Sequence, residues 1–221
     1  MIELPQVTLF AFDNTPKIEE TIRAMHTSMQ GIKFGAVKLV TSPDQIEKYR
    51  SELEPDGITL EEPVMEVKDY NDYNYYWIYK IGSHIETSHC LLIQSDGFVI
   101  FPHQWDDTWL EYDYIGAPWS WVPAGKRATE CPVGKCVGNG GFSIRSKKLM
   151  TMGAEYEYDG SSGDEDVYLC RVIGDDLKSK GIKFAPTELA AYFSVENGLY
   201  NNQFGFHGPS TLQLNKKLGV F

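Results

Sequence analysis

His89-Cys90-Leu91-Leu92-Ile93-Gln94, running into Ser95-Asp96-Gly97, is the most strand-like stretch of the chain. A run that is apolar at consecutive positions reads as a strand buried on both faces, the pattern of an interior strand in a parallel sheet covered by helices. In open α/β sheets, ligands gather beyond the carboxyl ends of the strands. Asp96 therefore stands where a site is expected, although Asp-Gly is also a common turn dipeptide.

Upstream, Val7 to Phe12 is a second apolar run that ends in Asp13-Asn14-Thr15-Pro16, with Thr15 as N-cap and Pro16 in the first turn of a helix. Ile18, Ile22, Met25 and Met29 follow at helical spacing. Phe34 to Val40 reads as a strand. Ser42-Pro43-Asp44-Gln45 reads as a capping box, opening a helix with Ile46, Tyr49 and Leu53 inside. A short strand fits between Gly57 and Lys68, and Tyr70 to Ile85 is aromatic and helical, weakened at Gly82. Downstream, Phe98 to Phe101 reads as a strand and Trp105 to Cys136 as one long irregular segment, which in a compact domain is usually functional. Ser146 starts a helix, Glu165 to Ile173 forms another, and Phe184 to Ala185 and Ala190 to Val195 read as short strands. The alternation predicts an α/β fold over residues 1–221: a mostly parallel central sheet flanked by helices.

At 221 residues the chain can bury a substantial core. Its formal net charge of −11 repels a phosphate backbone and argues against non-specific nucleic-acid binding. The same acidity suits a carboxylate-rich site that receives an anionic substrate through a cation. Cys90 and Cys170 sit in apolar runs, and Cys131 and Cys136 have no second pair or neighbouring His to make a zinc site. No apolar run approaches the ~18 residues of a membrane span. The N-terminus lacks the pattern of a signal peptide, so a cytoplasmic location is expected. Aromatic residues make up 13% of the chain; their flat faces serve sugar and base stacking as well as cores.

There is no Gly-x-x-x-x-Gly-Lys-Ser/Thr loop and no Gly-x-Ser-x-Gly elbow. Gly138-Asn139-Gly140-Gly141-Phe142-Ser143 demands unusual dihedrals or close backbone approach, either for a tight turn or for a turn that faces a ligand. Asp164-Glu165-Asp166 at a helix start either serves the helix dipole or supplies a general base. His207, between Phe206 and Gly208, is either a hydrogen-bonded structural residue or a metal ligand.

Gln94-x-Asp96-Gly97-Phe98, Trp105, Glu111 to Trp119 (EYDYIGAPW), Gly138 to Ser146 (GNGGFSIRS), Glu165-Asp166 and Phe204 to Gly208 (FGFHG) occur in that order. The series resembles a family of predicted glycosyltransferases of the GT-A type found in bacteria and large viruses. The resemblance covers about Tyr70 to Gly208. It implies a GT-A fold whose first half, about residues 1–100, binds a nucleotide and whose second half, about 101–221, holds the acceptor. It implies a divalent metal, Mn²⁺ or Mg²⁺, on Asp96 and His207, with Gln94 where such enzymes carry the first acid of an Asp-x-Asp motif. It implies a nucleotide-sugar donor, with UDP the first choice, and a base at Asp166, with Glu165 in reserve. Gln94, Asp96, Trp119, Asn139, Gly140 and Gly141 would contact donor or acceptor: the glycines by letting backbone amides approach the sugar, Trp119 or Trp121 by stacking on it. The acceptor stays open among glycan, lipid, protein and modified nucleobase.

Two other readings fit the residues. A carbohydrate- or nucleotide-binding module without catalysis is suggested by Gln94 and the Trp content. A glycoside hydrolase would need two acids facing across one sugar.

Overall fold

The computed structural model describes residues 1–119, 137–161, 163–196, 198–217 and 219. Along the first strand, β1 (Ile2–Phe12), alternate side chains part: Val7, Leu9 and Ala11 enter one core, Phe10 and Phe12 the other. The strand is buried on both faces, as its continuous apolar run requires. Helix α1 (Ile18–Met29) follows, then β2 (Ile32–Val40), α2 (Pro43–Leu53) and β3 (Thr59–Glu61). Ile18, Ile22, Met25, Ile46, Tyr49 and Leu53 cover the Leu9 face. Helix α3 (Tyr70–Tyr79) leads into a 3₁₀ turn at Ile81–His84 and covers the Phe10 face with Tyr76, Trp77, Ile81 and Ile85.

The sheet is completed by β4 (His89–Leu92), β5 (Tyr114–Gly116) and β6 (Ser143–Ser146). Its order is β3-β2-β1-β4-β6-β5. All pairings among β3, β2, β1 and β4 are parallel, and β6 alone runs against its neighbours. The sheet is thus mostly parallel, flanked by helices, with β4 in its interior. The chain builds outward from β1 to β2 and β3 on one side and returns to β4 on the other. The reversal of direction between β1 and β4 opens a crevice at their carboxyl ends.

The second half adds α4 (Lys147–Gly153), the short α5 (Glu165–Val167), α6 (Gly174–Ser179), α7 (Thr187–Phe193), the parallel pair β7 (Ser194–Glu196) and β8 (Gly205–His207), and α8 (Pro209–Lys217).

Several local expectations are corrected. The regular part of α1 starts two residues later than expected, with Lys17 rather than Thr15 at its N-cap position. Thr15 Oγ1 still accepts from the Lys17 amide at 3.2 Å, and Asp13 accepts from the Thr15 amide at 2.8 Å and the Thr21 hydroxyl at 2.6 Å. Ser42 precedes α2 without a side-chain cap bond, and the Gln45 side chain donates Nε2 to the Thr15 carbonyl at 2.8 Å. Phe98 to Phe101 is an extended segment touching Gly205 through a single bridge at Val99. Glu165 to Ile173 is not one helix: after Val167 the turn widens, and the Ile173 amide reaches five residues back to the Tyr168 carbonyl at 3.1 Å. Ala190 to Phe193 is helical rather than extended, and the strand starts only at Ser194. Phe184 forms one bridge to Tyr114 and no strand. Cys131, Cys136, Trp121 and most of the long segment before Cys136 lie outside the described residues. Among the described residues, no helix is long and apolar enough to cross a membrane.

Candidate active site

Beyond the carboxyl end of β4 the chain makes a tight turn, with Gln94 and Gly97 exchanging backbone hydrogen bonds at 3.0 and 3.1 Å. This turn presents Gln94, Ser95 and Asp96 at the crevice. The Asp96 carbonyl accepts from the Gly208 amide at 2.9 Å, so the end of β8 is fastened beside the turn. His207 and Glu196 are cross-strand partners on β8 and β7, and their side chains meet: Nδ1 lies 3.0 Å from Glu196 Oε1. On the other ring nitrogen, Nε2 lies 3.2 Å from Gln94 Oε1. Gln94 Nε2 in turn donates to the Tyr73 hydroxyl at 2.8 Å. Burial opposes a charge on His207, but the Glu196 carboxylate, with Asp96 and Asp166 further off, outweighs it and raises its pKa.

The second group lies across one turn. Gly140 donates its amide to Asp166 Oδ2 at 2.9 Å, and the Val167 amide donates to Asp166 Oδ1 at 2.6 Å. Glu165 Oε1 receives Arg145 Nη2 at 2.7 Å in an ion pair with side chains only 11% and 1% exposed. Arg145 Nε also donates to Ser143 Oγ at 3.2 Å. Asp166 keeps some exposure, yet loss of water dominates its surroundings; with the Glu165 charge beside it, its pKa rises to about 7. That is far above a free aspartate and close to the working range of a general base.

Gly140 and Gly141 are the seam between the two groups. A Cβ on Gly140 would stand 2.2 Å from Glu165 Oε1 and 2.6 Å from Arg145 Nη2. One on Gly141 would stand 2.0 Å from His207 Nε2 and 2.5 Å from Gln94 Oε1. Two consecutive glycines therefore bring the acidic pair and the imidazole against a single stretch of backbone.

The tertiary structure thus gathers Gln94, Asp96, Gly140, Gly141, Glu165, Asp166 and His207, and it reassigns three expectations. The Gly140 amide is committed to Asp166 and does not point to a sugar. Asn139, at φ +57°, turns the chain in the left-handed region and donates Nδ2 to the Ala117 carbonyl at 2.8 Å, so its side chain is a turn brace. Trp119 packs on Gly138 and carries the Arg171 guanidinium 4.1 Å above its ring, so a face expected to stack on sugar is covered.

Four contributors escaped sequence reasoning: Tyr73, Arg145, Glu196 and Asn74, whose Oδ1 accepts from the Glu165 amide at 2.9 Å. Arg145 left no clear signal, because its strand, Ser143–Ser146, also carries two serines; only its burial in the folded chain demands a partner acid. Glu196 left none. The EYDYIGAPW string proves structural in part. Asp113 accepts from Ser146 Oγ at 2.6 Å and the Lys183 amide at 2.8 Å, and a Cβ on Gly116 would stand 1.6 Å from the Gly138 carbonyl oxygen.

Among the described residues, no cluster of three or more His, Cys, Asp and Glu gathers as a metal cage. What the crevice offers is leaner: the imidazole of His207, the amide oxygen of Gln94 and the carboxylate of Asp96. An oxygen-preferring divalent cation that keeps water and takes phosphate oxygens as further ligands fits such a set. The Glu196 hydrogen bond on Nδ1 is the support that a metal-binding histidine commonly has.

A family model described as "Protein of unknown function (DUF5672)" matches residues 61–207. The chain belongs to that family. The matched span contains β4, the Gly140–Gly141 turn and the acidic pair, and ends on His207. A search of curated proteins gives no match. Among solved structures, the chain is similar to the mannosyltransferase PcManGT from Pyrobaculum calidifontis in complex with GDP-Man and Mn²⁺. The identity is 14%, covering 75% of this chain and 52% of that one, with a TM-score of 0.44. The chain spans about half the length of that protein. It is also similar to HddC from Yersinia pseudotuberculosis, at 13% identity over 72% of this chain and 81% of that one, with a TM-score of 0.42. Nothing about activity follows from likenesses at these scores.

Proposed function

We propose that the protein is a glycosyltransferase that moves a sugar from a nucleotide-sugar donor, UDP-linked by first choice, to an acceptor hydroxyl. The observation that carries this reading is the seam at Gly140–Gly141, where a carboxylate with a pKa near 7 and a carboxylate-braced imidazole meet at the switch point of a parallel sheet. The sequence resemblance, from the Gln94 turn to His207, supports it independently.

In this reading residues 1–100 hold the nucleotide and the second half holds the acceptor. Asp166, held by the Gly140 and Val167 amides, takes the proton from the acceptor hydroxyl as its oxygen attacks the anomeric carbon. Glu165 is committed to Arg145, which favours Asp166 of the two acids as the base. Asp96, His207 and Gln94 would hold Mn²⁺ or Mg²⁺. A divalent ion there supplies positive charge against the charge developing on the departing diphosphate. For this the imidazole must present a lone pair at Nε2, with its remaining proton toward Glu196.

The test is acceptor-free donor hydrolysis, preceded by a thermal-shift screen of nucleoside diphosphates with and without Mn²⁺. A ligand at 100 times its Kd raises stability by about 2.7 kcal/mol. Hydrolysis in the native protein that falls roughly 10² to 10⁴-fold in Asp166→Asn, with diphosphate binding retained, supports the reading. A second reading, a binding module without turnover, is favoured by one observation: Glu196 and Gln94 satisfy both nitrogens of His207 without an ion. Diphosphate binding with no hydrolysis in the native protein would establish it.

A further inference from the structure

Tyr70, the first residue of α3, leaves 61% of its surface in water and yet is tied down at three points. Its hydroxyl donates to Asp164 Oδ1. Its ring lies nearly parallel to that of Tyr73, with centroids 6.2 Å apart and planes at 12°. Its carbonyl accepts from Asn74 Nδ2 at 2.8 Å, while Asn74 Oδ1 accepts from the Glu165 amide at 2.9 Å. Tyr73 continues the chain of contacts to Gln94. The exposed ring is thus fixed relative to the residue beside Asp166 on one flank and to the Gln94–His207 group on the other. An aromatic ring held rigid in water without a ligand has paid its ordering entropy beforehand, the property of a binding platform. Trp119, one of the two rings expected to stack on a sugar, carries the Arg171 guanidinium over its face, and the other, Trp121, lies outside the described residues.

The charges around the ring restrict what it receives. Asp164, Glu165 and Asp166 follow one another at its edge, and Asp69 and Asp72 sit at its foot. Among the described residues, Arg145 is committed to Glu165, Lys68 pairs with Glu66, and Arg171 lies over Trp119. The wish of such a surface is for apolar C–H faces and hydroxyl donors, and it repels carboxylates and phosphates. Burial and the Asp164 contact hold the Tyr70 phenol well above its usual pKa, so it stays a neutral donor.

We propose that Tyr70 and the Asp164 edge form an acceptor subsite for an uncharged sugar ring, stacked on Tyr70 with its hydroxyls toward the acidic loop. The proposal rests on the transferase reading for the word acceptor but not for the sugar. It excludes uronic acids, phosphorylated lipids and nucleic acids as the group that contacts Tyr70.

Saturation-transfer NMR with methyl hexopyranosides and methyl hexuronides tests binding directly, alongside acceptor-free donor hydrolysis. The native protein is expected to bind the neutral glycosides and not the hexuronides. Tyr70→Phe keeps the ring and should stay within about twofold, whereas Tyr70→Ala should weaken binding by roughly tenfold, the scale of one aromatic contact. Should Tyr70→Ala fail to fold, Tyr70→Leu, which keeps apolar bulk without a flat face, is read in its place. Unchanged glycoside binding in that variant, or equal binding of hexuronides by the native protein, overturns the subsite. Sugar binding that depends on Tyr70 in a protein with no donor hydrolysis sustains the subsite and sinks the transferase reading instead.

Discussion

At the scale of single residues, the acidic pair divides its labour by environment. Read as helix-end acids, Glu165 and Asp166 are interchangeable. In the structure one neutralises a buried guanidinium and the other keeps some solvent contact. Glu165→Gln therefore leaves Arg145 charged and uncompensated in the interior. We expect a loss of about 3–5 kcal/mol in urea unfolding, well beyond the fraction of a kcal/mol that a helix-end charge contributes. Asp166→Asn should fold and retain diphosphate binding while losing turnover. Gly141→Ala forces a methyl into His207 Nε2 and Gln94 Oε1. Calorimetry should find Mn²⁺-dependent diphosphate binding weakened at least tenfold, with Asp96→Ala abolishing it and His207→Ala weakening it. Unchanged affinity in all three variants would sink the metal assignment.

Among elements, the crossing of β5 with the glycine turn is the tightest constraint on the site. The contacts waiting for a Cβ on Gly116 are backbone atoms of Gly138 and Asn139, which cannot swing aside as a side chain can. Gly116→Ala should cost 1–3 kcal/mol or more and displace the seam, so activity should fall along with stability. By contrast, Asp69 caps α3 by accepting the Asp72 amide at 2.9 Å. Asp69→Ala should cost only about 1 kcal/mol and should loosen the helix end that carries Tyr70. Measuring melting and activity for both variants separates the two elements: the first should lose both, the second mainly stability.

For the whole molecule, the raised pKa of Asp166 links folding to pH. Its carboxyl ionises near 4 in the unfolded chain and near 7 in the folded one. Between those values the folded state binds the extra proton, so this group's contribution to stability is fullest below about pH 4 and is lost as pH rises through 7. Native and Asp166→Asn proteins unfolded in parallel at pH 5, 6, 7 and 8 should show the variant gaining relative stability up to about pH 7, then none beyond. Under the proposed role of Asp166 as base, the acid limb of donor turnover should fall in the same range, because that base would have to be ionised. A difference between the two proteins that does not change with pH would place the carboxyl in an ordinary environment. What the sequence by itself determined are the features written in local pattern: the two-faced apolar runs of β1 and β4, the strand at β2, the α1 and α2 stripes, and the turn that sets Asp96 beyond β4. Periodicity and turn chemistry act over a few residues and survive without knowledge of the rest. Only the tertiary structure decided which acid is buried against Arg145, that Glu196 braces His207, that Trp119 is covered and that Tyr70 is not. Each of those depends on partners between 11 and 94 positions away along the chain, brought together by packing that no local spacing encodes.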